Sequence, residues 1–165
     1  MKYYLILFLL CTYINNSISQ IETKTGKGDT AYNIVGIDQS GNDISISAFK
    51  GKYILLNFTA TYCKPCWSTY EHLDDIQEKY IKKLKIISFH IDDERADWER
   101  IAKKLNIEYN CSSIWDGVNK PDILDKYKID GFPYFFLIDR NGIIIKKWFG
   151  NRTTKLDRFF KRFCK

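Results

Sequence analysis

Two histidines, His72 and His90, are all the imidazole this chain of 165 residues offers, so a histidine-rich metal centre is excluded. No apolar run is long enough to cross a bilayer. The longest, Tyr3 to Ile14, is about a dozen residues against the ~20 a membrane helix needs. There is no internal repeat and no low-complexity tract, which leaves an ordinary globular composition. Among the five cysteines there is one close pair, Cys63 and Cys66, and a four-cysteine zinc site normally shows a second. A stripe of basic residues is also lacking. The 26 basic and 20 acidic residues leave a net +6, scattered as Lys82/Lys83, Lys103/Lys104 and Lys146/Lys147. Such pairs read as solvated faces, and no nucleic-acid partner is expected.

The N-terminus has the pattern of an export leader. Lys2 supplies a positive start, Tyr3 to Ile14 the apolar segment, and Ser17-Ile18-Ser19 the small residues before a cut at Gln20. The expected division is a signal peptide over 1–19 and one domain over 20–165, large enough to bury a proper core. An uncleaved N-terminal membrane anchor is the alternative. Cys11 reads as an apolar residue of this leader, because Phe8-Leu9-Leu10 lacks the small residue expected before a lipidated cysteine.

Outside the cytosol disulfides persist, so the four cysteines beyond the leader could be oxidised. They allow three pairings, and adjacency through one helical turn favours Cys63 with Cys66. The pair follows an apolar strand, Tyr53 to Thr59, and precedes a helix-like stretch. Pro65 fits the first turn of a helix, where its missing N–H would have had no partner. Cys63 then sits at the helix N-terminus, where unpaired amides and the macrodipole favour a negative sulfur. A thiol at an ordinary pKa of ~8.5 is about 3% thiolate at pH 7, and one lowered to ~7 is about half ionised. Cys63 is therefore the expected nucleophile and Cys66 the resolving thiol, with Lys64 and Pro65 as modulating neighbours. A permanently oxidised structural disulfide is the bland alternative, but so tight a loop needs no staple. Cys111 and Cys164 are expected as free or intermolecular thiols. A bridge between them would close a loop of about fifty residues, worth roughly 4 kcal/mol in the chain-entropy model.

Along the chain, Ile34–Ile37 and Ile44–Ile46 flank a turn-rich segment and read as a hairpin. Tyr70, Leu73, Ile76 and Tyr80 recur at helical spacing in one helix running on from Cys66. Leu84–Ile91 reads as a strand, and Trp98, Ile101, Ala102 and Leu105 as a second helix. Residues 107–116 give a further strand with its approach, and Asp122–Tyr127 a helical turn. Tyr134–Ile138 and Ile143–Trp148 form a late hairpin. Leu156, Phe159, Phe160 and Phe163 form the apolar stripe of a C-terminal helix. Alternating strands and helices argue for an α/β sheet covered on both faces. His90 and Asp92, at the end of a core strand, read as a polar strand end facing solvent or a cap for the next helix.

Four pieces in order resemble the TlpA/ResA-like branch of the thioredoxin superfamily. They are Gly51-Lys52, Asn57-Phe-Thr-Ala-Thr-Tyr-Cys63-Lys-Pro-Cys66, Tyr127-Lys-Ile-Asp-Gly-Phe-Pro133 and Leu137-Ile-Asp-Arg-Asn-Gly142. The resemblance covers the chain from about residue 28 onward. It implies a thioredoxin-like three-layer α/β sandwich with an N-terminal β-hairpin and a central helix-strand insertion over roughly 92–118. It also implies an exported, periplasmic thiol–disulfide oxidoreductase that reduces protein disulfides. Such an enzyme needs no cofactor beyond the Cys63/Cys66 couple and no metal, works as a monomer, and draws electrons from a membrane donor protein. Pro133 is implied to be a cis-proline facing the cysteines, with Phe132 bordering the substrate groove. Tyr62 and Trp67 flank the motif and are expected to add an apolar contact surface for a polypeptide.

Two departures bear on mechanism. Asn57 stands where thioredoxins keep a buried acid, and Thr69 where ResA-like proteins often carry glutamate; Glu71 lies about 140° around the helix from Cys66. No general base is evident. Alternatives on the same fold are a thiol peroxidase (AhpC/TSA-like), a metal chaperone, and a non-catalytic binding domain. The first would want threonine at Ala60, and the second a three-residue spacer between its cysteines with a distant histidine.

Overall fold

A computed structural model describes residues 25–92, 95–107, 109 and 111–163. The expected leader, Cys11, Cys164 and the side chain of Phe163 lie outside what is described. Strands β1 (Val35–Asp38) and β2 (Asp43–Ser45) form the leading hairpin. Its turn is held by Asp38, whose carboxylate accepts the amides of Ser40 and Asn42, while Gly41 takes the positive φ the reversal requires. A 3-10 turn over Ile46–Phe49 leads into β3 (Tyr53–Thr59), whose last six residues are all buried.

Seven strands make one sheet in the order β2-β1-β5-β4-β3-β6-β7. β3, β4 (Leu84–His90) and β5 (Ser112–Asp116) are parallel. β6 (Tyr134–Ile138) and β7 (Ile144–Phe149) add antiparallel strands on one side, and the hairpin pairs antiparallel with β5 on the other. Near-continuous apolar runs in β3 and β4 follow from burial on both faces. Alternate residues of β3 point to opposite layers. Ile54, Leu56 and Phe58 pack with Ile123 and Tyr127 of the helix Lys120–Tyr127. Leu55 packs with Leu73 and Ile76 of the helix Tyr70–Lys79 and with Leu156 and Phe160 of the helix Thr154–Phe163. The result is the expected three-layer α/β sandwich.

In chain order the helices are α1 (Lys64–Trp67), α2 (Tyr70–Lys79), α3 (Arg95–Leu105), α4 (Lys120–Tyr127) and α5 (Thr154–Phe163). The expected insertion is α3 with β5. It places β5 between β4 and the hairpin, and α3 over the same face as α2. Two readings change. The helix after Cys66 is not continuous: the Ser68 hydroxyl donates to Pro65 O at 2.8 Å and the Thr69 hydroxyl to Cys66 O at 2.7 Å. Side chains thus satisfy carbonyls that the next helical turn would have used, and α2 restarts at Tyr70. The short turn at Asp122 begins earlier, at Lys120, because Asn119 caps it and Pro121 fits its first turn.

Candidate active site

β3 carries the chain to the C-terminal edge of the sheet, and the cysteines follow at once. Cys63 N donates to Ala60 O at 3.0 Å, which turns the backbone so that Cys63 becomes the N-cap of α1. Pro65 sits in the first turn and removes one amide that would have lacked a partner. Cys63 and Cys66 are joined as a disulfide with Cα atoms 5.3 Å apart. The Cys66 amide points at Cys63 Sγ, 3.2 Å away, a donor able to stabilise negative charge on that sulfur. Cys63 is 7% exposed and Cys66 fully buried, so a partner reaches the first sulfur before the second. Ala60, Ile91 and Phe132 pack around the pair.

Opposite lies the loop before β6. The Phe132–Pro133 peptide is cis, as the resemblance implies, and Gly150 N donates to Pro133 O at 2.8 Å. Gly131 lets this loop run beneath Phe149: a Cβ there would come within 2.8 Å of that ring. Tyr62, Cys63, Lys64, Pro65, Asp130 and Phe132 line an open groove between the two loops. Tyr62 is 71% exposed and stands edge-on to Phe132, ring centres 6.4 Å apart. Both side chains thus stand at the groove beside the cysteines.

Trp67 does not join them. Its ring is buried, stacked on Trp98 of α3 at 5.6 Å and edge-on to Tyr70, with Nε1 donating to Thr61 O at 2.9 Å. The helical turn from Cys63 rotates Trp67 toward the insertion, where α3 covers it. It is core, not groove.

Beside the disulfide, on the α2/α3 face of β3 and β4, runs a buried polar strip that sequence reasoning largely missed. Asn57 Nδ2 donates to Ser88 Oγ at 3.2 Å, and Ser88 meets the Tyr109 hydroxyl at 2.6 Å. Thr59 meets the Tyr70 hydroxyl at 2.8 Å, which also accepts from Trp98 Nε1 at 3.3 Å. His90, opposite Thr59 in the ladder, is fully buried and stacked on Trp115 at 3.7 Å. The expectation of a solvent-facing strand end fails for His90 because Trp98 and Trp115 of the insertion close over it. Burial holds the His90 imidazole well below its ordinary value, with Lys120 adding to the effect. Burial likewise raises both tyrosine hydroxyls. The strip is therefore uncharged near neutral pH and supplies no carboxylate base to Cys66. The signal for it was alternation: Asn57, Thr59, Ser88 and His90 share one face of two core strands.

Asp92 does take part, through the backbone: its Oδ2 accepts Thr61 N at 2.6 Å and Thr61 Oγ1 at 3.0 Å. Cys111 is buried away from the groove, with Sγ donating to Asp74 Oδ1 at 3.1 Å. Burial and the Asp74 carboxylate push its thiol far above the ordinary range, so it is inert.

This chain is similar to known proteins. A thioredoxin-like family model matches residues 51–144. The thiol-disulfide oxidoreductase ResA of Bacillus thuringiensis subsp. konkukian is 29% identical over 164 residues, covering 96% of this chain and 92% of that protein. The thioredoxin domain of a thiol-disulfide oxidoreductase from Bacteroides vulgatus superposes with a TM-score of 0.70 at 26% identity, over 81% of this chain and 97% of that one. A thiol:disulfide interchange protein from Bacteroides sp. gives 0.63 at 28% identity, over 84% and 90%. With the match spanning the redox pair and the cis-proline loop, the chain belongs to the thioredoxin-like family.

Proposed function

We propose that the protein is an exported thiol–disulfide oxidoreductase that reduces protein disulfides through Cys63 and Cys66. The observation that carries this reading is the Cys63–Cys66 disulfide at the N-cap of α1, bordering an open groove walled by the cis-Pro133 loop. In the reduced enzyme the Cys63 thiolate attacks one sulfur of a substrate disulfide. A mixed disulfide forms and the other substrate sulfur leaves as thiolate. Cys66 then gives its proton to that thiolate or to water and attacks Cys63 Sγ. The second substrate sulfur departs, the substrate has gained two electrons, and the enzyme holds its own disulfide. A dithiol donor must return those electrons; outside the cytosol a membrane donor protein fits.

Exposed Tyr62 and half-buried Phe132 supply an apolar wall suited to a polypeptide, and Lys64 adds a positive charge beside the nucleophile. The Lys2 to Ser19 pattern supports export to a periplasm, either cleaved or retained as an anchor. No cofactor beyond the cysteine couple is needed, and a monomer suffices. Insulin reduction with dithiothreitol as donor tests the activity. Wild type is expected to accelerate it, while Cys63→Ser and Cys66→Ser fall to background. Equal rates in wild type and Cys63→Ser would favour a non-catalytic binding domain.

A further inference from the structure

Thr61 lies two residues before Cys63, and all three of its polar groups are engaged by other parts of the chain. Its amide and hydroxyl both donate to Asp92 Oδ2, at 2.6 and 3.0 Å, and its carbonyl accepts Trp67 Nε1 at 2.9 Å. Just before them, Ile91 N donates to Thr59 O at 3.2 Å and extends the β3–β4 ladder to the edge of the site. Asp92 is itself tied down. Lys120, at the start of α4, donates from Nζ to the Asp92 carbonyl at 2.6 Å. The segment between β3 and the redox pair is thus clamped from the β4–α3 loop on one side and from α1 on the other.

We infer that Asp92 is a positioning residue for the thiol chemistry: through Thr61 its carboxylate fixes the loop that presents Cys63 at the N-cap of α1 and Tyr62 at the groove wall. This inference rests on the reading of Cys63 as nucleophile. Its physical content is a conflict of signs. A carboxylate acting only as a nearby negative charge disfavours a thiolate, so removing it makes Cys63 more reactive. A carboxylate that holds the loop does the opposite: without it Cys63 leaves the position where the Cys66 amide faces its sulfur at 3.2 Å. Among the described residues, the other charges near the groove are Lys64 and Asp130 on its walls and Lys120 on the Asp92 carbonyl. On the buried side Tyr70 and His90 carry no charge at pH 7; burial lowers the imidazole well below its ordinary value and raises the phenol further.

The test is the rate of iodoacetamide alkylation of Cys63 in the reduced full chain, as a function of pH. Asp92→Ala is expected to slow it about three- to tenfold at pH 7 and to move the midpoint of the profile upward. Asp92→Asn keeps an acceptor oxygen without the charge and is expected to stay within about twofold of wild type. An unchanged or faster rate in Asp92→Ala overturns the inference, as does an Asp92→Asn variant slowed as far as Asp92→Ala. Should Asp92→Ala not fold, Thr61→Val, which removes the hydroxyl bond alone, carries the test: a slower rate supports the clamp and an unchanged one overturns it. Alkylation reads Cys63 whether or not a protein disulfide is the substrate. A wild type inactive on insulin therefore defeats the proposed function and leaves this result to stand by itself.

Discussion

Only Lys64 and Pro65 separate Cys63 from Cys66, yet their surroundings assign them different work. Cys63 has partial access to the groove and the Cys66 amide at its sulfur; Cys66 is sealed among Ala60, Ile91 and Phe132. In the reduced protein Cys63 is expected to alkylate at least tenfold faster than Cys66, read by peptide mass after timed labelling; equal rates would remove the assignment. His90 makes a second prediction at this scale. Neither of its ring nitrogens has a hydrogen-bond partner among the described residues, and burial holds the imidazole neutral. The unfolded chain takes up that proton near pH 6.5, whereas the folded protein does not until the pH is far lower. Stability from a neutral His90 is complete above about pH 6.5 and declines below it, by up to about 1.4 kcal/mol per pH unit. His90→Phe, which keeps a ring for Trp115 to stack on, is expected to flatten urea-derived stability between pH 6.5 and 5. Parallel curves for variant and wild type would refute the burial of a neutral imidazole.

Among the elements, the α3–β5 insertion shapes the site most. α3 brings Trp98 against Trp67, Tyr70, His90 and Trp115, and so turns what would be an exposed strip of β4 into interior. Trp98→Ala opens this aromatic cluster and is expected to cost about 2–4 kcal/mol, lowering the denaturation midpoint and reducing near-UV circular dichroism. A loss below about 0.5 kcal/mol would mean that α3 lies loosely on the sheet. The strands and most helices were legible in sequence because burial on both faces leaves apolar runs and one-sided burial leaves a 3.6-residue period. What misled was local hydrogen bonding and long-range cover. The break at Ser68-Thr69 comes from hydroxyls capturing carbonyls, which apolar spacing does not record. The fates of Trp67 and His90 depend on where α3, with Trp98 31 residues after the one and 8 after the other, comes to rest. Tyr62 and Cys63 belong to the motif itself, and the structure puts both on the groove. Asp92 was noticed at the right edge, but its bond to Thr61 required the register of β3 against β4.

For the whole molecule, the sheet delivers the ends of β3 and β4 and the start of β6 to one edge, so that a disulfide, an aromatic wall and a cis-proline loop face one groove. The one cysteine outside the disulfide among the described residues, Cys111, is buried on another side against Asp74 and takes no part. The central claim is that electrons pass through one covalent link, from Cys63 to a substrate sulfur, which Cys66 then breaks. Incubating the Cys66→Ser variant with a disulfide-containing protein and resolving the mixture on a non-reducing gel tests it directly. A stable adduct, joined at Cys63 and released by dithiothreitol, is the predicted result, with no adduct from Cys63→Ser. Adduct formation by Cys63→Ser, or none by a folded Cys66→Ser, would contradict it.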